Sequence, residues 1–326
     1  MAVKEFTEVQ GMLQMSDAEV LKHITTYDAP PVGFDPNTAE DRLLRKHGIP
    51  RRPDVVSEPH LKKIWDAAFA SKPTFIKAEV AVDHVMAKRK TPVINKELTD
   101  KKDAGKKTTG KKFSPHGWAG AVVPVKNLGF NPAEPVLSVY GEWFIPTITA
   151  VANEPNTPET VGFWVGIDGF GNNQVLQAGT AATITGKNIN NWVWTEWYPL
   201  PPIKVTNFPI KPGDYITVLV CAAQPNHGFC SMLNKTTNQA ISIGITNPTN
   251  VTSIGATAEW IVEGISDILP VFSTVVFTNG SAGTKDHAFN MHGGVITEIV
   301  GNGNVNLTAA SIVSDTSAMV KWLKVS

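Results

Sequence analysis

Apolar residues follow two different periods along the chain, and the change between them divides it near residue 113. Before that point the spacing is helical. Ser16-Asp17-Ala18-Glu19 is a capping-box pattern ahead of Val20, Leu21 and Ile24, and it predicts a helix of about two to three turns. Thr38 to His47 repeats the design, with Leu43 and Leu44 as the apolar face, Gly48 as the stop and Pro50 just beyond. Leu61, Ile64, Trp65 and Ala68 mark a third amphipathic helix between Ser57 and Pro73. From Thr74 to Val85 the period becomes strand-like.

From Phe113 onward, short runs rich in Val, Ile, Thr, Trp and Phe recur between Gly, Pro and Asn clusters. They cover Ala121 to Val125, Val136 to Ala150, Gly162 to Asp168, Trp192 to Tyr198, Asp214 to Ala222, Ala256 to Glu263, Val271 to Thr278 and Val295 to Val300. So many strands with such turns predict a mainly β fold, a two-layer antiparallel β-sandwich. Within it, Ala258-Glu259-Trp260-Ile261-Val262-Glu263 carries two carboxylates four residues apart. A strand puts both on one face, about 13 Å apart, too far to share a proton. Read alone, this is a sandwich strand with two solvated acids; if Glu263 does chemistry, its partner comes from elsewhere.

Charge sharpens the division. The 326 residues hold 29 Lys+Arg and 29 Asp+Glu, so net charge suggests neither nucleic acid nor membrane as partner. Residues 1–115 nevertheless carry 21 basic and 16 acidic residues, a net of +5, which leaves −5 for 116–326. Ten of the basic residues fall in 86–112, a segment too polar to order itself and read as a Lys-rich linker or docking segment. It lacks the interleaved aromatics of a nucleic-acid tail. No apolar run approaches the roughly 18 residues of a spanning helix, and Met1-Ala2-Val3-Lys4-Glu5 opens no signal-peptide pattern. The chain is therefore expected to be cytoplasmic, or secreted by a non-classical route. Cys221 and Cys230 could bridge one hairpin, but two buried free thiols are the expectation. Eight of the nine Trp lie in the β part, more than its core needs, so some should line a groove that takes a polymer, peptide or glycan.

Several reaction motifs are missing: there is no Gly-x-Ser-x-Gly elbow, no His-Glu-x-x-His helix and no phosphate-cradling Gly-Lys-Ser/Thr loop. His227 with Cys230 lacks an orienting third group, and His287 with His292 lacks a third ligand, so neither a thiol nucleophile nor a metal site is expected. Four stretches remain. Trp164-Val165-Gly166-Ile167-Asp168-Gly169, Val175-Leu176-Gln177-Ala178-Gly179, Trp194-Thr195-Glu196-Trp197-Tyr198-Pro199 and the Glu259/Glu263 strand stand in that order, preceded by His116-Gly117-Trp118-Ala119-Gly120-Ala121. In order and spacing, residues 113–326 resemble the glutamic peptidases, the eqolisins, of which scytalidoglutamic peptidase is the type.

The resemblance implies a concanavalin-like jelly-roll sandwich of two curved sheets, with a substrate groove on the concave face. It implies an acid endopeptidase that hydrolyses polypeptides with a Glu/Gln dyad and neither metal nor cofactor. By motif position Glu263 becomes the catalytic glutamate and Gln177 the glutamine, with Glu259 in support. Trp118, Trp164, Asp168, Glu196 and Tyr198 become groove residues. Trp192 departs from the acid often found two residues before the first Trp of the Trp-x-Glu-Trp-Tyr-Pro motif, which bears on subsite preference. Residues 1–112 become a helical, basic prosegment that masks the acidic domain 113–326 as an intramolecular inhibitor. The implied product is a monomeric zymogen, activated at low pH by cleavage in 86–112. The alternative is a silent peptide- or glycan-binding sandwich that keeps the groove.

Overall fold

The computed structural model describes residues 15–69, 71–89, 117–130, 134–151, 156–224, 226–247, 253–301 and 305–323. His116 and residues 90–112 of the expected linker lie outside them. The N-terminal part forms α1 (Asp17–Leu21), β1 (Ile24–Thr26), α2 (Asp41–Lys46), α3 (Pro59–Phe69), β2 (Thr74–Phe75) and β3 (Val80–Val82). The rest forms β4 (Trp118–Pro124), β5 (Ser138–Phe144), β6 (Ile148–Thr149), β7 (Glu159–Asp168), β8 (Val175–Thr185), β9 (Asn188–Tyr198) and β10 (Ile203–Val205). There follow β11 (Tyr215–Gln224), β12 (His227–Asn234), β13 (Gln239–Thr246), β14 (Thr257–Gly264), β15 (Val271–Phe272), β16 (Val275–Gly283), β17 (Ala288–Phe289), β18 (Val295–Thr297), β19 (Thr308–Ser314) and β20 (Ser317–Trp322).

Two large sheets build the sandwich. One runs β1-β13-β12-β11-β5-β16-β20-β19, with β2 beside β13 and β17 beside β16; the other runs β18-β4-β14-β7-β8-β9-β10-β3. Their facing sides hold the main core. The period of two in β14 shows how the sequence does this: Ala258, Trp260 and Val262 join that core, while Ile261 joins a separate cluster on the other side of the sheet. Buried indoles find partners across the layers, Trp260 donating to the Tyr140 carbonyl at 2.9 Å and Trp143 to Thr180 Oγ1 at 3.2 Å.

The N-terminal residues are woven into both sheets. β1 and β2 pair with β13, and β3 pairs with β10. Leu44 of α2 and Ile64, Trp65, Ala68 and Phe69 of α3 pack on Tyr140, Leu219 and Leu233 on the outer side of the first sheet. The α1 helix is shorter than the sequence predicts. The capping box of Ser16 and Glu19 forms, but the helix ends at Leu21, and Ile24 pairs as a strand residue with Ile245. A tertiary sheet edge thus overrides a local helical pattern. The second helix begins at Asp41 rather than near Thr38, and ends where Gly48 adopts φ +68. Both cysteines are buried and free, Cys221 in the outer cluster and Cys230 in the main core.

Gly179, in the middle of β8, makes the tightest fit next to the site. A Cβ there would stand 2.0 Å from the Phe163 carbonyl oxygen and 2.7 Å from Trp164 Cα. Gly179→Ala is expected to cost about 3 kcal/mol or more, because backbone and not a flexible side chain would have to move. Equilibrium unfolding in urea measures it, and an unchanged midpoint would contradict this packing.

Candidate active site

The outer side of the second sheet carries the residues singled out from the sequence, and strand register sets their spacing. Glu263 pairs with Trp118 on β4 and with Gly162 on β7, which faces Ala181 on β8 and then Trp192 on β9. Gln177 on β8 pairs with Glu196 on β9 and with Gly166 on β7, which faces Glu259. The backbones of Glu263 and Gln177 are therefore two strands and four residues apart, about 10 Å across and 13 Å along. Only long side chains, with something between them, can span that gap.

What lies between them is Arg89. Its guanidinium is hydrogen-bonded to Glu196 Oε2, and its Nε lies 3.7 Å from Glu263 Oε1. Gln177 Nε2 donates to the same Glu196 oxygen at 2.6 Å. Because a carboxylate only accepts, this bond orients the Gln177 amide and leaves Oε1 directed elsewhere, without a hydrogen-bond partner among the described residues. Trp164 Nε1 donates to Glu263 Oε2 at 3.0 Å, and the Trp118 indole also favours the ionised form of Glu263. The two indoles meet edge to face at 4.7 Å. Tyr198 is half-buried beside Glu196.

Two predicted residues have other surroundings. Asp168, at φ +71, accepts amide hydrogens from Ile254, Gly255 and Ala256 at 2.7–2.9 Å, so its carboxylate pins the loop entering β14. Glu259 shares a cross-strand row with Gln177, but the Trp164 ring folds over the intervening Gly166. Neither carboxylate of β14 is in solvent, as the plain reading of that strand had it: Glu259 is 0% and Glu263 1% exposed.

The N-terminal segment reaches Glu263. After β3, Asp83 Oδ1 caps the 3-10 turn Met86–Lys88 through the amides of Val85 and Met86, while Oδ2 accepts the Trp192 indole N–H at 2.5 Å. The turn carries Met86 into the cluster of Trp118, Trp164, Trp192 and Trp194, and delivers Arg89 to the acids with its guanidinium 5.9 Å from the Trp194 ring. Sequence reasoning missed Asp83, Met86 and Arg89. Arg89 is one of ten basic residues in 86–112, and nothing local marks it out.

Burial dominates the electrostatics. It pushes Glu263 up to about 7 although Arg89 opposes the shift, raises Glu196 against both Arg89 and Gln177, raises Asp168 against its amide donors, and lifts Glu259 well above the carboxylate range. For Arg89 burial works against the charge, but Glu196 and Glu263 outweigh it and its pKa rises. An acid raised in the folded state stabilises the fold below its unfolded pKa and loses that contribution as pH rises through its folded value. For Glu263 the window runs from the ordinary 4.5 to about 7. Glu263→Gln, which cannot ionise, should therefore gain on wild type by about 3 kcal/mol between those pH values. Parallel urea titrations across that range decide it, and identical pH slopes would rule it out.

Residues 116–322 match the model of the peptidase A4 family. Aspergillopepsin-2 of Aspergillus niger is 28% identical over 229 residues, covering 64% of this chain and 78% of that protein. Scytalidopepsin B of Scytalidium lignicola is 27% identical over 187 residues, 52% of this chain and 70% of that one. In fold, the chain is similar to scytalido-glutamic peptidase solved with a transition state analog inhibitor, at a TM-score of 0.54 and 23% identity, covering 64% of this chain and 98% of that one. With the sandwich in place and the four motifs on one face of one sheet, the chain belongs to the peptidase A4 family and is an endopeptidase of the glutamic type.

Proposed function

We propose that this peptidase works at acid pH with Glu263 and Gln177 as its dyad, and that it is made as a zymogen inhibited by its own N-terminal residues. The observation that carries the reading is convergence on one guanidinium. Arg89 lies against Glu196 and Glu263 while Gln177 holds the same Glu196 oxygen, so Arg89 occupies the place a scissile amide would need. Every group involved comes from one chain, and a monomer is the proposed working unit.

An amide carbonyl is a poor electrophile and water a poor nucleophile, so one group must take the water's proton while another stabilises the oxyanion. Glu263, held by Trp164, is the base. Gln177 spends one amide hydrogen on Glu196, which leaves the second for the oxyanion and Oε1 for the water. Protonated Glu263 then passes its proton to the departing amine. Weak carboxylate bases suffice only where that nitrogen is easily protonated, which favours acid conditions.

The same acids would operate the release. When Arg89 leaves, the Glu196–Glu263 pair loses its cation and takes up a proton on Glu196, which leaves Glu263 ionised as the base, so a fall in pH favours the open form. Cleavage within 90–112 would then make opening irreversible. The test is digestion of a denatured protein by acid-treated full-length chain from pH 2 to 7. Cleavage on the acid side, with a cut inside 90–112, is the expected result; no cleavage at any pH would refute the reading.

A further inference from the structure

Met86 is fully buried, yet its side chain comes from a turn and not from a core element. It fills a socket in the cross-strand row that carries Glu263. The floor is Gly162, which carries no side chain: even a Cβ there would stand in ordinary contact with Met86 Cε at 3.4 Å and with Ile265 Cδ1 and Trp164 Cδ1 each at 3.8 Å. Beyond Gly162 the row continues through Ala181, again small, to Trp192. Two small residues thus give the sheet a hollow, and Ile265, Trp164 and Trp192 wall it with apolar surface.

Resting on the peptidase reading above, we infer that this socket is a substrate subsite that selects a long apolar side chain, of the methionine or leucine class, next to the scissile bond. Three observations support it. The socket adjoins the proposed base, since Gly162 is the direct cross-strand neighbour of Glu263. Met86 and Arg89 lie three residues apart on one turn, so the chain that fills the socket also fills the gap between Glu263 and Glu196. A peptide reaching the dyad must displace both. Finally, the hollow is walled by apolar surface, and the Trp164 indole N–H is already taken by Glu263. A flexible unbranched chain fills such an irregular space, whereas alanine leaves it empty and an ionised side chain loses its hydration there.

The experiment uses acid-activated full chain and a panel of peptides alike except at the residues flanking one cleavage point, varied through Met, Leu, Val, Ala, Asp and Lys. At one flanking position Met and Leu should exceed Ala and Asp at least tenfold in kcat/KM. Gly162→Val carries methyls beyond the Cβ position, which itself would stand in ordinary contact with Met86 Cε at 3.4 Å, so it fills part of the socket and should reverse the order of Met and Ala; melting curves check its folding. In unprocessed chain, Met86→Asp should shift tryptophan emission to the red at neutral pH, and Met86→Leu should not. Cleavage with a flat preference, or an order untouched by Gly162→Val, overturns the subsite while leaving the peptidase reading intact. If no peptide is cut, the peptidase reading falls and takes the subsite with it. An unshifted Met86→Asp spectrum also counts against the socket, because it would mean that the hollow accepts a charge.

Discussion

Replacing Glu263 by glutamine is expected to lower proteolysis by acid-activated chain on the order of 10³- to 10⁴-fold, the range for removing a group that acts as base and then as acid. The variant keeps the size and the hydrogen bond from Trp164, so the loss should fall on kcat and leave KM within a few fold. Gln177→Ala removes an oxyanion donor and should cost about 10²- to 10³-fold. Glu259→Gln is the control. Its carboxyl is buried, raised well above the ordinary range and screened by the Trp164 ring, so it is neutral at working pH and its replacement should change activity less than about tenfold. Glu263→Gln activity within tenfold of wild type, or a larger loss at Glu259, would move the base to the other acid of the strand. Binding of peptides without cleavage in wild type would point to a silent sandwich.

Arg89→Ala should act in the opposite direction and unlock the unprocessed chain. A buried ion pair broken from one side typically costs about 3–5 kcal/mol, and here that cost falls on the covered form. The open population should rise on the order of 10²- to 10³-fold, and activity of uncleaved protein should appear at higher pH than in wild type. Arg89→Lys keeps the charge but loses the fork that reaches Glu196 and Glu263 together, so it should fall between the two. Assays need a form that cannot be cut within 90–112, so that opening is read separately from processing. An Arg89→Ala chain as inactive as wild type at every pH would remove Arg89 from the lock.

How much of this was legible beforehand depended on how local the signal was. The helices around Leu44 and Trp65 and the strands carrying Trp164, Trp194 and Trp260 were readable because their apolar periods are complete in one segment. The apolar pattern does not mark β8, β10, β12, β13, β17, β19 and β20 as strands. In β8 and β12 both faces are largely buried, which blurs the alternation that signals a strand. Ile24 was read as helical because its period fits a helix, but its backbone partner lies more than two hundred residues away on β13.

By itself the sequence determined the fold class, the capping of the first helix and, through four ordered motifs, which glutamate and glutamine to suspect. The first two follow from local backbone preference and side-chain period, which act between neighbours, and the third rests on the resemblance to the glutamic peptidases. Tertiary structure alone decided that both acids of β14 are buried, that Asp168 holds a loop, that Glu196 orients Gln177, that Met86 joins the tryptophan cluster and that Arg89 lies against Glu196 and Glu263. Desolvation and ion pairing depend on what covers a group. For Glu196 the cover comes from Arg89, 107 residues away, and no local period records a contact at that distance.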